Sequence, residues 1–515
     1  MRQTRTKQFI KNVIASALLQ VVTIVTGFIS PKLMLSAYGS EINGITTSIN
    51  QFITYITVIE AGVSSATTFA LYKPLADRDN AARDSIVSAA RISYLRIGLI
   101  FALASVILAL VYPFIGETEA LGYFELALLV LVLSANGTIN YFILAKYRTL
   151  LTADQCGYAI SYSGAVQLIV HLAIIWTGIK LGLGVIAVRA LAIVSFLFTS
   201  VILAVYVRIR YPSINFKAEP NMKALNKRWD AMFNQIVGMV TSGAPMFIMT
   251  ALLNFKLISV YSIYNMIAGS VARGITVFTS GLGAAFGNIN ATGDKELLKK
   301  TTEQFRTAFY ILITILYATM IVTLMPFISI YTKGITDVNY YLPVFGILIT
   351  AKGLLDNFKS PHGMLIQSFG KFKSIRRQTV TQAVIVVILT AVFTKLWGLV
   401  GSMAAICAAD VYMLIELLIL SPRELVDMSI TRNVRQILQS AAVIAALYVG
   451  FGLIGIVPGE YLDWLGYACL VGVVSSAATL AVYILFDRED VTALWRRVKA
   501  LAGRKRKRSE TDIQG

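Results

Sequence analysis

The chain has 515 residues, 57% of them hydrophobic and only 14% charged, with a mean hydropathy of +0.70. Soluble domains carry about 25% charged residues, so this composition excludes a soluble globular protein and, for the same reason, a disordered chain. It points to a polytopic membrane protein, and the formal net charge of +19 has to be read against where a membrane would place it.

The first ten residues, MRQTRTKQFI, are basic. The apolar segment behind them is long and lacks a small-residue cleavage site, so it reads as a retained first transmembrane helix rather than a removed signal peptide. Apolar stretches long enough to span follow one another at 11–36, 42–71, 86–114, 122–146, 156–178, 183–207, 231–254, 258–287, 305–331, 340–366, 374–394, 397–420, 435–456 and 464–486. The expected fold is all-α, with about fourteen transmembrane helices. The second, eighth and tenth stretches stand apart because they carry many Thr, Ser, Asn and Gly residues.

Lys and Arg orient the chain. With the N-terminus inside, thirty-seven of the 46 fall in cytoplasmic loops and tails. Only Lys180, Lys256, Lys333 and Lys395 fall on the opposite face, and Lys32, Arg96, Arg189, Arg273 and Lys352 lie within spans. This is a strong positive-inside bias. The basic tail Arg504 to Arg508 then reads as a cytoplasmic tail drawn to anionic headgroups, and nucleic acid is not an expected partner.

Cysteine and histidine are sparse. Cys156, Cys407 and Cys469 are scattered, the histidines are His171 and His362, and no C-x-x-C, H-E-x-x-H, G-x-S-x-G or G-x-x-x-x-G-K-[ST] string occurs. A disulfide framework, a structural zinc site, hydrolase chemistry and a P-loop ATPase are all without support. No cofactor or metal is expected, and the chain does not read as an enzyme.

Two halves resemble each other. GSEINGITTSINQFITYITVIEAGVSSA, from Gly39 to Ala66, matches ISVYSIYNMIAGSVARGITVFTSGLGAA, from Ile258 to Ala285, at a shift of about 219, with Gly62 falling on Gly281. Each is followed by a short charged loop, LADRDNAARD or NATGDKELLKK. KLGLGVIAV at Lys180 matches KLWGLVGSMAA at Lys395 at a shift of 215. Helices 1–6 and 7–12 therefore read as two copies inserted in the same sense, which predicts a pseudo-twofold axis along the membrane normal and a path between the lobes. The expected organisation is an N-lobe over 1–207, a cytoplasmic linker over 208–230, a C-lobe over 231–420, two added helices over 421–486 and a basic tail over 487–515.

The segment from Pro31, P-K-L-M-L-S-A-Y-G-S-E-I-N-G, leading to E-A-G-V-S-S-A at Glu60, keeps Pro31, Gly39, Gly44 and Gly62 at a spacing that resembles bacterial Wzx-type polysaccharide flippases of the multidrug/oligosaccharidyl-lipid/polysaccharide superfamily. The resemblance covers nearly the whole chain, but its motifs are glycines and prolines that shape backbone. Locally, Pro31 can bend helix 1, Gly39 and Gly44 allow a tight outer turn, and Gly62 and Gly281 serve either close packing or gating. The resemblance implies an undecaprenyl-diphosphate-linked oligosaccharide as cargo, its headgroup crossing a cavity lined by helices 1, 2, 7 and 8 while the lipid tail stays in the bilayer. It also implies alternating access, in some relatives driven by an ion gradient. Arginines that the lipid II flippases often carry near helix 1 fall here on Ser30 and Ser36, which leaves Lys32 as the substitute.

A charge in mid-membrane costs about 2.5–3.5 kcal/mol on insertion scales, so each asks for a reason. Five cations face five acids, Glu60, Glu125, Asp356, Asp410 and Glu416. Arg273, near the middle of helix 8, is the first candidate to hold a diphosphate, because its forked donors match phosphate oxygens; the rival role is a pair with Glu60. Tyr261, Tyr264 and Asn265 are candidates for sugar hydroxyls. Lys32 either meets the substrate or snorkels outward. Glu60 either trades a proton or holds a cation, and Asp410, with no evident partner, is a second ion-coupling candidate. Lys352 and Asp356 are four apart and should pair. Arg96 should sit near the inner headgroups and Arg189 should snorkel. On helix 2, Thr47, Asn50, Gln51, Thr54 and Thr57 form a polar stripe too costly to face lipid, so they meet either a wet cavity or another helix.

The expectation is a flippase that carries lipid-linked oligosaccharide to the outer leaflet of a bacterial plasma membrane, with both termini cytoplasmic. Its partners would be the glycan lipid, the bilayer and polysaccharide assembly proteins such as a polymerase. An ion-coupled drug or metabolite antiporter of the same superfamily is the alternative. A scaffold or membrane glycosyltransferase fits less well, since the outer loops are too short for a catalytic site.

Overall fold

The computed structural model describes residues 2–116, 118–225, 228–279, 294–369, 374–424 and 428–493, with Phe286, Ile289, Val426 and Arg496. Gly281 and the Arg504–Arg508 tail lie outside the described residues. Every described element is a helix, and they fall into fourteen: α1 (2–38), α2 (40–77), α3 (Asn80–Val111), α4 (Tyr123–Ala153), α5 (Gly157–Lys180), α6 (Val185–Arg210), α7 (Arg228–Leu252), α8 (Phe255–Thr279), α9 (Lys295–Tyr331), α10 (Pro343–Ser368), α11 (376–396), α12 (399–424), α13 (Ile430–Ile454) and α14 (Tyr461–Phe486). The fold is a polytopic, all-α membrane architecture. Nine described segments are apolar and long enough to cross a membrane, and two of them are the kinked pairs that contain α1 with part of α2, and α11 with α12. The helices that miss this criterion are α7, α8 and α10.

Local chemistry sets the breaks. α1 runs through Pro31 without leaving helical geometry, and the chain turns instead at Gly39, where φ is 79° and ψ is 177°. That region is open only to glycine. The turn is capped by Asp337, whose carboxylate accepts from the Ser40 amide at 2.8 Å and the Ser40 hydroxyl at 2.5 Å. α2 tightens to a 3-10 turn over Thr57–Glu60, and α4 widens to a π turn over Asn140–Leu144. Gly398, at φ 60°, separates α11 from α12, as Gly182, at φ 70°, ends α5. Asp79 and Asp294 cap α3 and α9 alike, each accepting from the amide three residues on at 2.9 Å.

The chain divides into two compact units, one of residues 1–262 with 335–338 and one of 263–334 with 339–515, so the boundary falls inside α8. In the first unit α1 packs along α5, α3 along α4, and the second half of α2 along α7. Ile10, Ile14, Leu18, Val21, Val25 and Ile29 form an exposed apolar stripe down α1, the face suited to lipid. The 208–230 stretch packs here: the Asn215 amide donates to Asp84 and the Asn221 amide to the Ser85 carbonyl. In the second unit α9 packs against α10, α13 and α14, and α10 against α11 and α12. α14 buries Tyr467, Val471, Ser475, Thr479 and Tyr483 at four-residue spacing, one continuous helix stripe.

Several basic residues expected in cytoplasmic loops are helical. Lys146 and Arg148 belong to α4, Arg306 to α9 and Lys359 to α10. The helices extend past their apolar stretches, because Lys and Arg favour helix and their stems can lie along apolar neighbours.

Candidate functional site

In the first unit the chemistry gathers on α2. Its polar residues divide between two faces. Asn43 is buried and donates to Ser259 at 2.7 Å and Ser262 at 3.2 Å, while Ser48 meets Thr250 at 2.9 Å. These bonds join α2 to α8 and α7, and Gly44 lets the backbones close: a Cβ there would stand 1.8 Å from the Phe255 carbonyl oxygen. On the other face Asn50 and Thr54 are exposed and Thr47 is half-buried. Gln51 donates to the Tyr55 hydroxyl at 2.6 Å. Tyr55 stacks on Phe247 and lies near Tyr261. The Thr54 and Thr57 hydroxyls bond back to their own helix. Of the stripe, Gln51 is thus engaged within its own helix and Asn50 is open. Lys32 is half-buried on α1, and Pro31 beside it stays helical.

Glu60 closes the 3-10 turn of α2, next to the buried Gly62. The Tyr141 hydroxyl, from the π turn of α4, lies within reach of the Thr57 carbonyl, at 3.3 Å, and of the Glu60 carboxylate. The Arg148 guanidinium faces Glu60 and donates to Asn140 at 3.3 Å. Tyr94 of α3 adds a hydroxyl bonded to Thr149 at 2.6 Å. Two irregular helix turns and two opposite charges therefore come near one place, the combination expected where a membrane protein spends stability on function. Arg148, Tyr141 and Tyr94 gave no signal in the sequence, because Arg148 counted as a loop residue and the tyrosines as apolar.

Arg189 departs from the expected snorkelling. It is half-buried beside Tyr38 and His171, and its Nε is shielded from solvent without a hydrogen-bond partner. Arg96 is exposed on α3. Glu125 accepts from the Gly122 amide at 3.0 Å and so caps α4.

In the second unit α8 carries Asn265, exposed, and Arg273, half-buried. The Arg273 guanidinium lies over Gly269 and donates to Ser270 at 2.8 Å, while its Nε is shielded and unsatisfied. No carboxylate lies within ion-pair distance of it among the described residues. Tyr264 does not serve the role expected of it. It is fully buried, its hydroxyl donates to the Tyr340 carbonyl at 2.8 Å and accepts from the Leu342 amide at 3.0 Å, and so it anchors the start of α10.

Asp410 also departs from expectation, since it has partners. Its Oδ1 accepts from Lys359 at 2.7 Å and from Gln382 at 3.0 Å. Lys359 also meets Asp356 at 2.9 Å, and Asp356 meets Lys352 at 2.6 Å, the pair expected from their spacing. Lys359 was hidden by its assignment to a loop. Glu416 is half-buried on α12. At the far end of the unit Arg306, almost fully buried, donates to Gln436 at 3.1 Å, Thr307 donates to Asp490 at 2.8 Å, and Arg432 bridges Asp490, Asp487 and Glu303. This polar knot fastens α13 and α14 to α9.

No family model and no curated protein matches the chain. Solved structures do. The lipid II flippase MurJ in an inward closed conformation aligns with TM-score 0.69 and 13% identity over 94% of this chain and 100% of that one. An inward-facing multidrug resistance MATE family transporter of the MOP superfamily aligns with TM-score 0.65 and 15% identity over 85% and 98%. A MOP superfamily transporter from Pyrococcus furiosus, described as having a binding pocket of reverse polarity, aligns with TM-score 0.54 and 15% identity over 86% and 96%. At these identities the likeness is one of fold alone.

Proposed function

We propose that the protein is an exporter that flips a polyprenyl-diphosphate-linked oligosaccharide across the plasma membrane by alternating access, with both termini cytoplasmic. The observation that carries this reading is the imbalance of satisfied charge. Glu60, Asp356 and Asp410 each have a basic neighbour, whereas Arg273 has a serine. An intramembrane guanidinium with no counter-ion among the described residues favours an anionic cargo, and a diphosphate supplies oxygens that match its fork. Asn50, Thr54 and Asn265 are exposed for sugar hydroxyls, Gln51 and Tyr261 are half-buried near them in sequence, and Lys32 is half-buried on α1. Glu60 is the ion-coupling candidate. The fold of a lipid II flippase supports a lipid-linked substrate. Duplication of a six-helix unit is supported by three details: Asp79 and Asp294 are matched caps, Gly182 and Gly398 are matched turns, and Asn43 bonds Ser262, its own counterpart at the shift of 219.

The rival, an antiporter for organic cations, has a MATE fold in its favour but wants an acid without a base. The test is headgroup translocation of a fluorescent undecaprenyl-diphosphate glycan in proteoliposomes. Native protein should translocate it. Arg273→Ala should lose activity by about tenfold or more, the worth of a charge-assisted contact, with an unchanged thermal melt. No translocation by folded native protein, across several glycans and ion gradients, would favour the antiporter.

A further inference from the structure

One end of the first unit, cytoplasmic on the orientation that the charge distribution predicts, gathers three cations that no acid balances. Lys146 closes the apolar stretch of α4 and Arg208 follows that of α6, so both stand where helices leave hydrocarbon for headgroups. Arg91 is half-buried on α3. Lys146 lies within electrostatic reach of Arg91, and Tyr147 within reach of both Arg91 and Arg208. Among the described residues none of the three has a carboxylate within ion-pair distance. The acids that brace this end are taken. Asp84 meets Arg83 at 2.7 Å and the Asn215 amide at 3.1 Å, and Asp154 meets Arg210 at 3.6 Å and the Tyr211 hydroxyl at 2.5 Å.

These cations are placed without being satisfied. Phe216, in the segment after α6, acts from two sides: its ring lies 5.3 Å from the Lys146 ammonium, and its carbonyl accepts from Arg91 Nη1 at 3.4 Å. The Tyr147 ring, edge-on to Phe216, takes the same ammonium at 4.9 Å. Ring faces attract a cation and leave its three N–H donors for other acceptors. The segment is itself tied to α3 through Asp84 and Ser85, so Phe216 is fixed by backbone bonds and not by the cations it holds. Three like charges kept this close repel one another, and an anion shared among them reverses the sign.

The neighbours of Arg208 indicate which anion. Val201, Val205 and Ile209 are 61%, 50% and 75% exposed, and with Arg208 they occupy i, i+4, i+8 and i+7 on one face of α6. The guanidinium thus ends an apolar stripe suited to lipid, and an anion that reaches it along that stripe carries acyl chains. A phosphate diester offers oxygens that match both a guanidinium fork and an ammonium. We infer that Arg91, Lys146 and Arg208 hold the phosphate of an anionic phospholipid of the cytoplasmic leaflet, with its chains along Val201 and Val205. A phosphate there draws α3, α4 and α6 together against the repulsion of their cations. This site does not depend on which cargo the protein carries.

The test titrates the full chain in detergent with phosphatidylglycerol, phosphatidylcholine and inorganic phosphate, reading bound lipid by native mass spectrometry and the thermal melt. Phosphatidylglycerol should bind and raise the melt, and the other two should not at matched concentration. Lys146→Gln and Arg208→Gln should each weaken phosphatidylglycerol about tenfold, the worth of a charge-assisted contact. Phe216→Leu, which keeps every charge, should weaken it about threefold through the lost ring contact. A control that removes three exposed cations elsewhere, Lys73→Gln with Lys223→Gln and Arg488→Gln, should bind like native protein. If that control loses as much as the site variants, the attraction is diffuse and the inference fails. It fails equally if phosphatidylcholine binds as well, if Lys146→Gln and Arg208→Gln bind like native protein, or if inorganic phosphate alone matches the lipid, which would make this a site for a free phosphate. Should a glutamine variant not fold, Lys146→Arg and Phe216→Leu decide: native binding in the first with a loss in the second upholds the site, and any other pattern overturns it.

Discussion

At the scale of single residues, backbone contacts decide more than polarity does. Gly44 looks like any glycine in a membrane helix, but its missing Cβ makes room for the Phe255 carbonyl. Gly44→Ala forces main chain against side chain and should cost about 3 kcal/mol, at the upper end for overpacking. Gly27→Ala, where nothing lies within 4 Å, should leave the thermal melt in detergent unchanged or raised. Tyr264→Phe removes both the donor to Tyr340 and the acceptor for Leu342. It should lower stability by about 1–3 kcal/mol, the cost of buried backbone groups left unmade, while glycan affinity stays native. Residue types were a fair guide where the partner is local: the spacing of Lys352 and Asp356 is enough to pair them. They misled where the partner comes from another helix. Nothing near Asp410 in sequence announces Lys359, fifty-one residues earlier, and nothing near Glu60 announces Arg148.

At the scale of elements, helix ends and breaks hold the specific information. All fourteen helices were legible from hydropathy, and the three least apolar are those whose polar residues now have named partners or open faces. The lengths were not legible, because charged helical extensions carry no apolar signal. The turn between α1 and α2 rests on two features, the conformation of Gly39 and the cap from Asp337. Gly39→Ala should cost about 1–3 kcal/mol in backbone strain, and Asp337→Ala about 0.5–2 kcal/mol as a lost cap. The two are neighbours, since a Cβ on Gly39 would sit 3.3 Å from Asp337 Oδ2. The double variant should therefore melt higher than the sum of the single losses allows.

At the scale of the whole molecule, the distribution of charge predicts one orientation, with both termini inside. Lys333 and Lys217 are both exposed and fall on opposite sides of that scheme. In a Cys469→Ser background, an impermeant maleimide should label Lys333→Cys in intact cells and Lys217→Cys only after permeabilisation. Cys156 should stay silent, because burial and the nearby Asp154 push its thiol up, away from the reactive thiolate. The charged ladder of α10 also bears on how such a chain is made. Lys359 waits for an aspartate that lies fifty-one residues downstream. At about 5–20 residues per second that is a delay of roughly 3–10 s. For that interval α10 holds two lysines against one aspartate, too polar to enter lipid unaided. Joint entry of α10 to α12 into the bilayer is therefore the expected order of insertion.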